Sequence, residues 1–124
     1  MINEEKILRC IAERESNNRY WVPGAAGERS VYQISHVVWI RYSSMPFEKA
    51  STKEGQVEAH RVAMAHLNHL IAFLRQNQVV VNVFYLALLW NAGETKWLNN
   101  SMSMKNYRYA LEVEQIFDGL HESQ

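Results

Sequence analysis

The sequence predicts a mainly α-helical chain with a buried central helix and at most a minor extended or β segment. Three observations carry that expectation. Apolar residues recur at helical spacing from Val57 to Leu74, residues 79–90 are apolar on nearly every side, and "SVYQI" is the one stretch that alternates enough to be extended. A chain of 124 residues with 48% hydrophobic and 21% charged positions, two prolines and five glycines has ordinary globular composition, sufficient to bury one core, so a single domain over 1–124 is expected.

The elements follow in order. Asn3 is placed to cap a first helix whose Glu4 and Glu5 suit the positive end of the macrodipole, and Ile7, Leu8, Ile11 and Ala12 form its apolar stripe. Glu15 continues that stripe, four residues after Ile11, so a carboxylate is aimed coreward at a helix C-terminus. Residues 17–30, with two asparagines, Pro23, Gly24 and Gly27, read as a loop, and "SVYQI" follows. Ser35 caps a short helix carrying Val37, Val38, Trp39 and Ile40. Ser51 with Glu54 predicts a capping-box start for a long helix that lays Val57, His60, Met64, Leu67, Ile71 and Leu74 on the core and leaves Arg61, Asn68 and Arg75 outside. Val80, Phe84 and Ala87 favour a buried helix over the strand that the local valines would suit, and Gly93 ends it. A last helix, about 104–118, presents Tyr109, Val113, Ile116 and Phe117 on one side.

Composition narrows the function classes. Lys plus Arg and Asp plus Glu both number 13, so no net field draws the chain to a polyanion, and nucleic acid is not an expected partner. The single cysteine, Cys10, allows no internal disulfide or cysteine-rich zinc site. The longest apolar run, "VVVNVFYLALLW", is too short to span a bilayer, and "MINEEKILRC" lacks the basic and apolar segments of an export signal. His66 and His69 share a helix face at a spacing compatible with a metal, but with no evident acidic partner nearby they read as structural, so neither a metal nor a cofactor is expected. A Ser-His-Asp triad is unpersuasive because Asp118 is the sole aspartate.

Glu15 is the candidate for chemistry. Its apolar face and the negative end of the helix dipole both disfavour the ionised form, which suits a general acid; the alternative is a solvent-exposed helix end or a partner for an arginine. Across "AERES", "GERSVYQIS", "LLWNAG" and "YALEVEQIF" the chain resembles the lysozyme-like superfamily, in the branch of soluble lytic transglycosylases and goose-type lysozymes. In that family a helix ends in Glu-Ser, a loop leads to a glycine-rich turn closing in glutamine, a buried helix ends in aromatic-Asn-Ala-Gly, and a final helix begins near a tyrosine. The matching positions are Glu15 and Ser16; Gly27 through Gln33; Trp90, Asn91, Ala92 and Gly93; and Tyr109 with Ala110 and Val113. Ser30 stands where the family has a second glycine, Tyr32 where it has methionine, and Tyr107 competes with Tyr109 for the tyrosine role.

The resemblance implies a lysozyme-like helical domain that binds peptidoglycan glycan strands and cleaves the β-1,4 bond between N-acetylmuramic acid and N-acetylglucosamine. Glu15 would act as general acid and then base. Attack by the muramic C6 hydroxyl would leave a 1,6-anhydro end, the expected outcome; attack by water would make the chain a hydrolase, with Glu28 or Glu94 as the second carboxylate. Ser16, Glu28, Ser30, Tyr32, Gln33, Asn91, Tyr107 and Tyr109 are the implied substrate-contacting or supporting residues. Gln33 and Asn91 are also readable as groups that satisfy backbone at element ends, and one or two of Trp21, Trp39, Trp90 and Trp97 could stack on sugars. A non-catalytic module of the same shape, binding glycan or a protein, is the alternative. A cell-wall substrate implies action in the periplasm or outside the cell, or delivery by a phage particle or secretion machine.

Overall fold

A computed structural model describes residues 2–120. It contains six α-helices: α1 (Glu4–Ser16), α2 (His36–Tyr42), α3 (Gln56–Gln76), α4 (Val83–Ala92), α5 (Glu94–Leu98) and α6 (Met104–Gly119). A 3-10 turn, Phe47–Ser51, lies between α2 and α3. Among the described residues there is no strand, only an isolated antiparallel bridge between Arg29 and Ile34, so the fold is mainly α and "SVYQI" forms a turn closed by one bridge. Two compact units divide the chain, one made of Ile11–Asn68, the other of the segment up to Cys10 and the segment from His69 onward.

In the unit Ile11–Asn68, Ile11, Ala12, Ile34, Trp39, Ala50, Ala59, Val62, Ala63 and Leu67 are buried. Trp39 is fully enclosed and its indole N–H donates to the Met45 carbonyl at 2.7 Å, which satisfies its one polar atom while the ring contributes its whole apolar area. Ser35 caps α2 as expected: its Oγ accepts from the Val38 N–H. The start of α3 is corrected. Ser51 ends the 3-10 turn, its hydroxyl taken by Arg29, and α3 begins at Gln56.

Gly55 explains the delay. A Cβ there would lie 1.9 Å from the Lys49 carbonyl oxygen, so the chain doubles back onto its own backbone through a site only glycine fits. Thr52 then serves as the local cap, accepting from the Gly55 N–H at 3.2 Å and donating to Lys49 C=O at 2.6 Å. Gln56 donates to the carbonyls of Ala50 and Thr52. Because α3 starts late, Val57 is in its first turn and 85% exposed rather than in the core, where Ala59, Val62 and Ala63 take the inward face. Leu67, Ile71 and Leu74 are buried, with Arg61, Asn68 and Arg75 outside, as the spacing predicts.

In the second unit α4 packs along α6. Leu86, Ala87, Leu88 and Leu89 are buried in succession, which is the mark of a helix enclosed on all sides. α4 begins later than expected, because Asn82 is its N-cap: the Asn82 side-chain oxygen accepts from the Tyr85 N–H at 2.8 Å, and Val80 precedes the helix, exposed. Gly93 terminates α4 at φ 88 and ψ 161, a conformation open in practice to glycine alone, with its N–H on the Leu89 carbonyl, and α5 starts immediately after. α6 buries Asn106, Tyr109, Ala110 and Val113.

Candidate functional site

The Glu-Ser end of α1 is a built terminus. Asn17 and Asn18 adopt left-handed backbone, φ 54 and 62, a conformation asparagine tolerates better than most residues. That reversal lets the Asn17 N–H reach Glu13 C=O and the Asn18 N–H reach back to Ala12 C=O, so carbonyls orphaned at the helix end find donors. Arg19 Nε donates to the Ser16 carbonyl at 2.9 Å. Ser16 itself is 3% exposed, and its hydroxyl donates across the loop to Val31 C=O at 2.8 Å, with Ala12 C=O 3.2 Å away. Glu15, half-buried in the last turn, is thereby carried on a helix end fastened to the turn fifteen residues on.

That turn is closed by its own backbone. Arg29 and Ile34 exchange both N–H···O=C bonds, at 3.0 and 2.8 Å, and four residues reverse direction between them. Ser30 takes φ 75 at the first of these positions, where the family pattern has glycine, and the strain is met locally: Ser30 is fully buried and its Oγ accepts from the Tyr32 N–H at 3.1 Å. Gln33, at φ 52, turns its amide inward and donates from Nε2 to both Val22 C=O and Ser30 C=O, at 2.9 and 3.0 Å. Its donors are therefore spent on the loop, and only Oε1 is left to accept from a ligand. Glu28 Oε1 accepts from the Ala26 N–H, and a Cβ on Gly24 would collide with both Glu28 Oε1 and Gln33 Oε1. Gly24 thus lets a carboxylate and an amide oxygen converge over bare backbone. The Tyr32 ring lies 6.3 Å from His60, tilted, and Arg29 fastens the turn to Phe47–Ser51 through Ser51 Oγ and the Phe47 ring.

Glu15, Ser16, Glu28, Ser30, Tyr32 and Gln33 therefore belong to one unit, and Asn91, Tyr107 and Tyr109 to the other. There Asn91 is exposed and its Oδ1 accepts from Asn106 Nδ2 at 2.7 Å. Tyr109 is 3% exposed on the inward side of α6, whereas Tyr107 is 38% exposed. Of the tryptophans, Trp39 is core, Trp90 half-buried, and Trp97 wedged edge-on against Phe73 and Tyr85. Trp21 is the exposed one, edge-on to Tyr20.

Three polar features were not legible as sites in the sequence. Asn106, which holds Asn91, is signalled only by the capping pattern Ser103-x-x-Asn106. His69 Nε2 lies 2.5 Å from Glu94 Oε1, so that histidine does have an acidic partner, 25 residues away in the chain, and one of the two carboxylates considered for catalysis is engaged by it. Glu58 is held at a pKa of about 2 by hydrogen bonds first from Arg61 and then from Ser43, and Arg61 also donates to Tyr42 C=O, so this cluster closes α2 onto the first turns of α3. Among the described residues no group of three or more His, Cys, Asp or Glu side chains could hold a metal ion, and no helix is long and apolar enough to cross a membrane. No protein-family model, curated protein or solved structure matches the chain.

Proposed function

We propose that this chain cleaves peptidoglycan glycan strands at the bond between N-acetylmuramic acid and N-acetylglucosamine, with Glu15 as general acid and base and a 1,6-anhydro sugar as product. The observation that carries the reading is the fastening of the Glu15-Ser16 helix end to the Arg29–Ile34 turn through Ser16 Oγ and Val31 C=O. A proton donor to a glycosidic oxygen must be held in place to within tenths of an ångström, and a capped helix end locked to a bridged turn is a rigid mount for it.

The chemistry requires Glu15 to be protonated when the substrate arrives. It gives its proton to the bridging oxygen as the C1–O bond breaks, positive charge develops at the muramic C1, and the resulting carboxylate takes the proton of the incoming hydroxyl. When the muramic C6 hydroxyl is that nucleophile, the substrate supplies its own attacking group and no second carboxylate has to activate water. Both alternatives for such a carboxylate already have work: Glu28 organises its turn and Glu94 pairs with His69, which supports the anhydro outcome.

Purified sacculi incubated with the protein should release muropeptides carrying 1,6-anhydro ends, lighter by one water than hydrolysis products and separable by mass. Glu15→Gln, nearly isosteric but unable to transfer the proton, should lower release by about 100-fold or more with unchanged thermal stability. Unimpaired cleavage by that variant would move the acid elsewhere.

A further inference from the structure

The polarity of the Asn91 amide follows from a chain of contacts that begins at an unambiguous donor. The backbone N–H of Ser103 can only donate, so the Asn106 atom 2.8 Å from it is oxygen, and the Ser103 hydroxyl lies 3.0 Å from the same Oδ1. The nitrogen of Asn106 must then point the other way, and there it meets Asn91 at 2.7 Å. A nitrogen donates, so the Asn91 atom facing it is Oδ1. Nδ2 of Asn91, with both its hydrogens, is left directed away from Asn106, on an exposed side chain with no protein acceptor among the described residues. Asn106 is 6% exposed and sits at the third position of α6, where the common capping residue would be Glu or Gln. Glutamate could satisfy the Ser103 N–H but would offer no N–H to Asn91. Asparagine does both.

The geometry points to Asn106 as a positioning residue that fixes Asn91 as a hydrogen-bond donor toward ligand, so that this end of α4 selects an acceptor-only oxygen, the acetamido carbonyl of an N-acetylated sugar. Naming that group rests on the glycan-cleaving reading above; the donor polarity of Asn91 does not. A hydroxyl can rotate to meet a donor or an acceptor and would gain little from a fixed amide, whereas a carbonyl needs a donor, and the ammonium of a deacetylated sugar is rejected by one.

The test uses Asn106→Asp, which keeps the oxygens facing Ser103, suits the positive end of α6, and presents acceptors to Asn91. Asn91 must then turn its NH2 inward and show Oδ1 outward. Side-chain amide exchange followed by NMR should find the Asn91 NH2 open to solvent in the parent and protected in Asn106→Asp; an Asn91 NH2 already protected in the parent, or unchanged in the variant, overturns the positional claim whatever the protein's activity.

Titration with tri-N-acetylchitotriose should show about tenfold weaker binding for Asn106→Asp, with melting temperature held. KM on sacculi should rise while kcat stays within about twofold, since the lost bond serves binding. Asn91→Asp, which removes the same donor, should also weaken binding of the trimer. Equal binding of the acetylated trimer by parent and Asn106→Asp would overturn the selectivity claim. Parent protein that neither binds the trimer nor cleaves sacculi would remove the glycan assignment alone, and the amide-exchange result would still decide the role of Asn106.

Discussion

Replacing Ser16 with alanine tests whether the helix end is mounted on the turn as the geometry requires. The substitution suits a helix terminus and removes a single oxygen, so its effect comes chiefly from the bond to Val31 C=O at 2.8 Å, with a smaller part from the longer contact to Ala12 C=O at 3.2 Å. That carbonyl is half-buried and loses a donor that water cannot fully replace at a residue 3% exposed, which costs about 1–2 kcal/mol. The melting temperature should fall by roughly 3–8 °C. Well below that temperature the variant is still folded, so any further loss of turnover reports displacement of Glu15 rather than unfolding. With Glu15 freed to shift by a fraction of an ångström, cleavage of sacculi at 20 °C should drop by at least about tenfold. Urea denaturation followed by circular dichroism gives the first quantity, and initial rates of muropeptide release give the second. A Ser16→Ala protein with the parent's urea midpoint would refute the bridge, and one that is destabilised but fully active would refute its role in holding Glu15.

Glu58 provides a pH-dependent prediction. Its folded pKa, about 2 against an ordinary 4.5, lies below the unfolded value, so its contribution to stability is complete above about pH 4.5 and is lost as the pH falls toward 2. Because its partner Arg61 is 55% exposed and screened by solvent, the contribution at pH 7 is about 1 kcal/mol rather than the full shift. Urea midpoints of parent and Glu58→Gln should therefore differ at pH 7 and converge by about pH 2; a constant difference would contradict the assignment. Gly55→Ala forces a methyl onto the Lys49 carbonyl and should destabilise by about 1–3 kcal/mol. Gly119→Ala, which meets nothing within 4 Å, should leave the midpoint unchanged or slightly raised, and equal effects from the two would contradict the close approach at Gly55.

What could be read from the sequence divides by the range over which each residue finds its partner. α1, α4 and α6 were legible because burial repeats every three or four residues along Ile7, Leu8 and Ile11, along Tyr109 and Val113, or on every side through Leu86–Leu89. Caps at Asn3 and Ser35 were legible because side chain and amide lie three residues apart. The start of α3 was not, because the decisive fact is that Gly55 must pass the Lys49 carbonyl, and a glycine in sequence does not say what it approaches. The start of α4 was not legible for a related reason: the Asn82 side chain, within an apolar run, closes the first turn of the helix.

The same division runs through the candidate residues of each unit. Gln33 was legible as a polar residue at an element end with two possible roles, and its contacts assign the Nε2 hydrogens to backbone, Val22 and Ser30, so any contact with sugar must use the remaining oxygen. Asn91 carried the same two roles, and its amide has the opposite polarity, because Asn106 occupies its oxygen and leaves its nitrogen outward. Two amides that look alike in the sequence thus become an acceptor in one unit and a donor in the other. Each amide is set by a neighbour with no freedom to reverse: backbone carbonyls, which only accept, fix Gln33, and the Ser103 N–H, which only donates, fixes Asn91 through Asn106. Polarity of this kind is a property of the folded hydrogen-bond network, and residue type alone does not determine it.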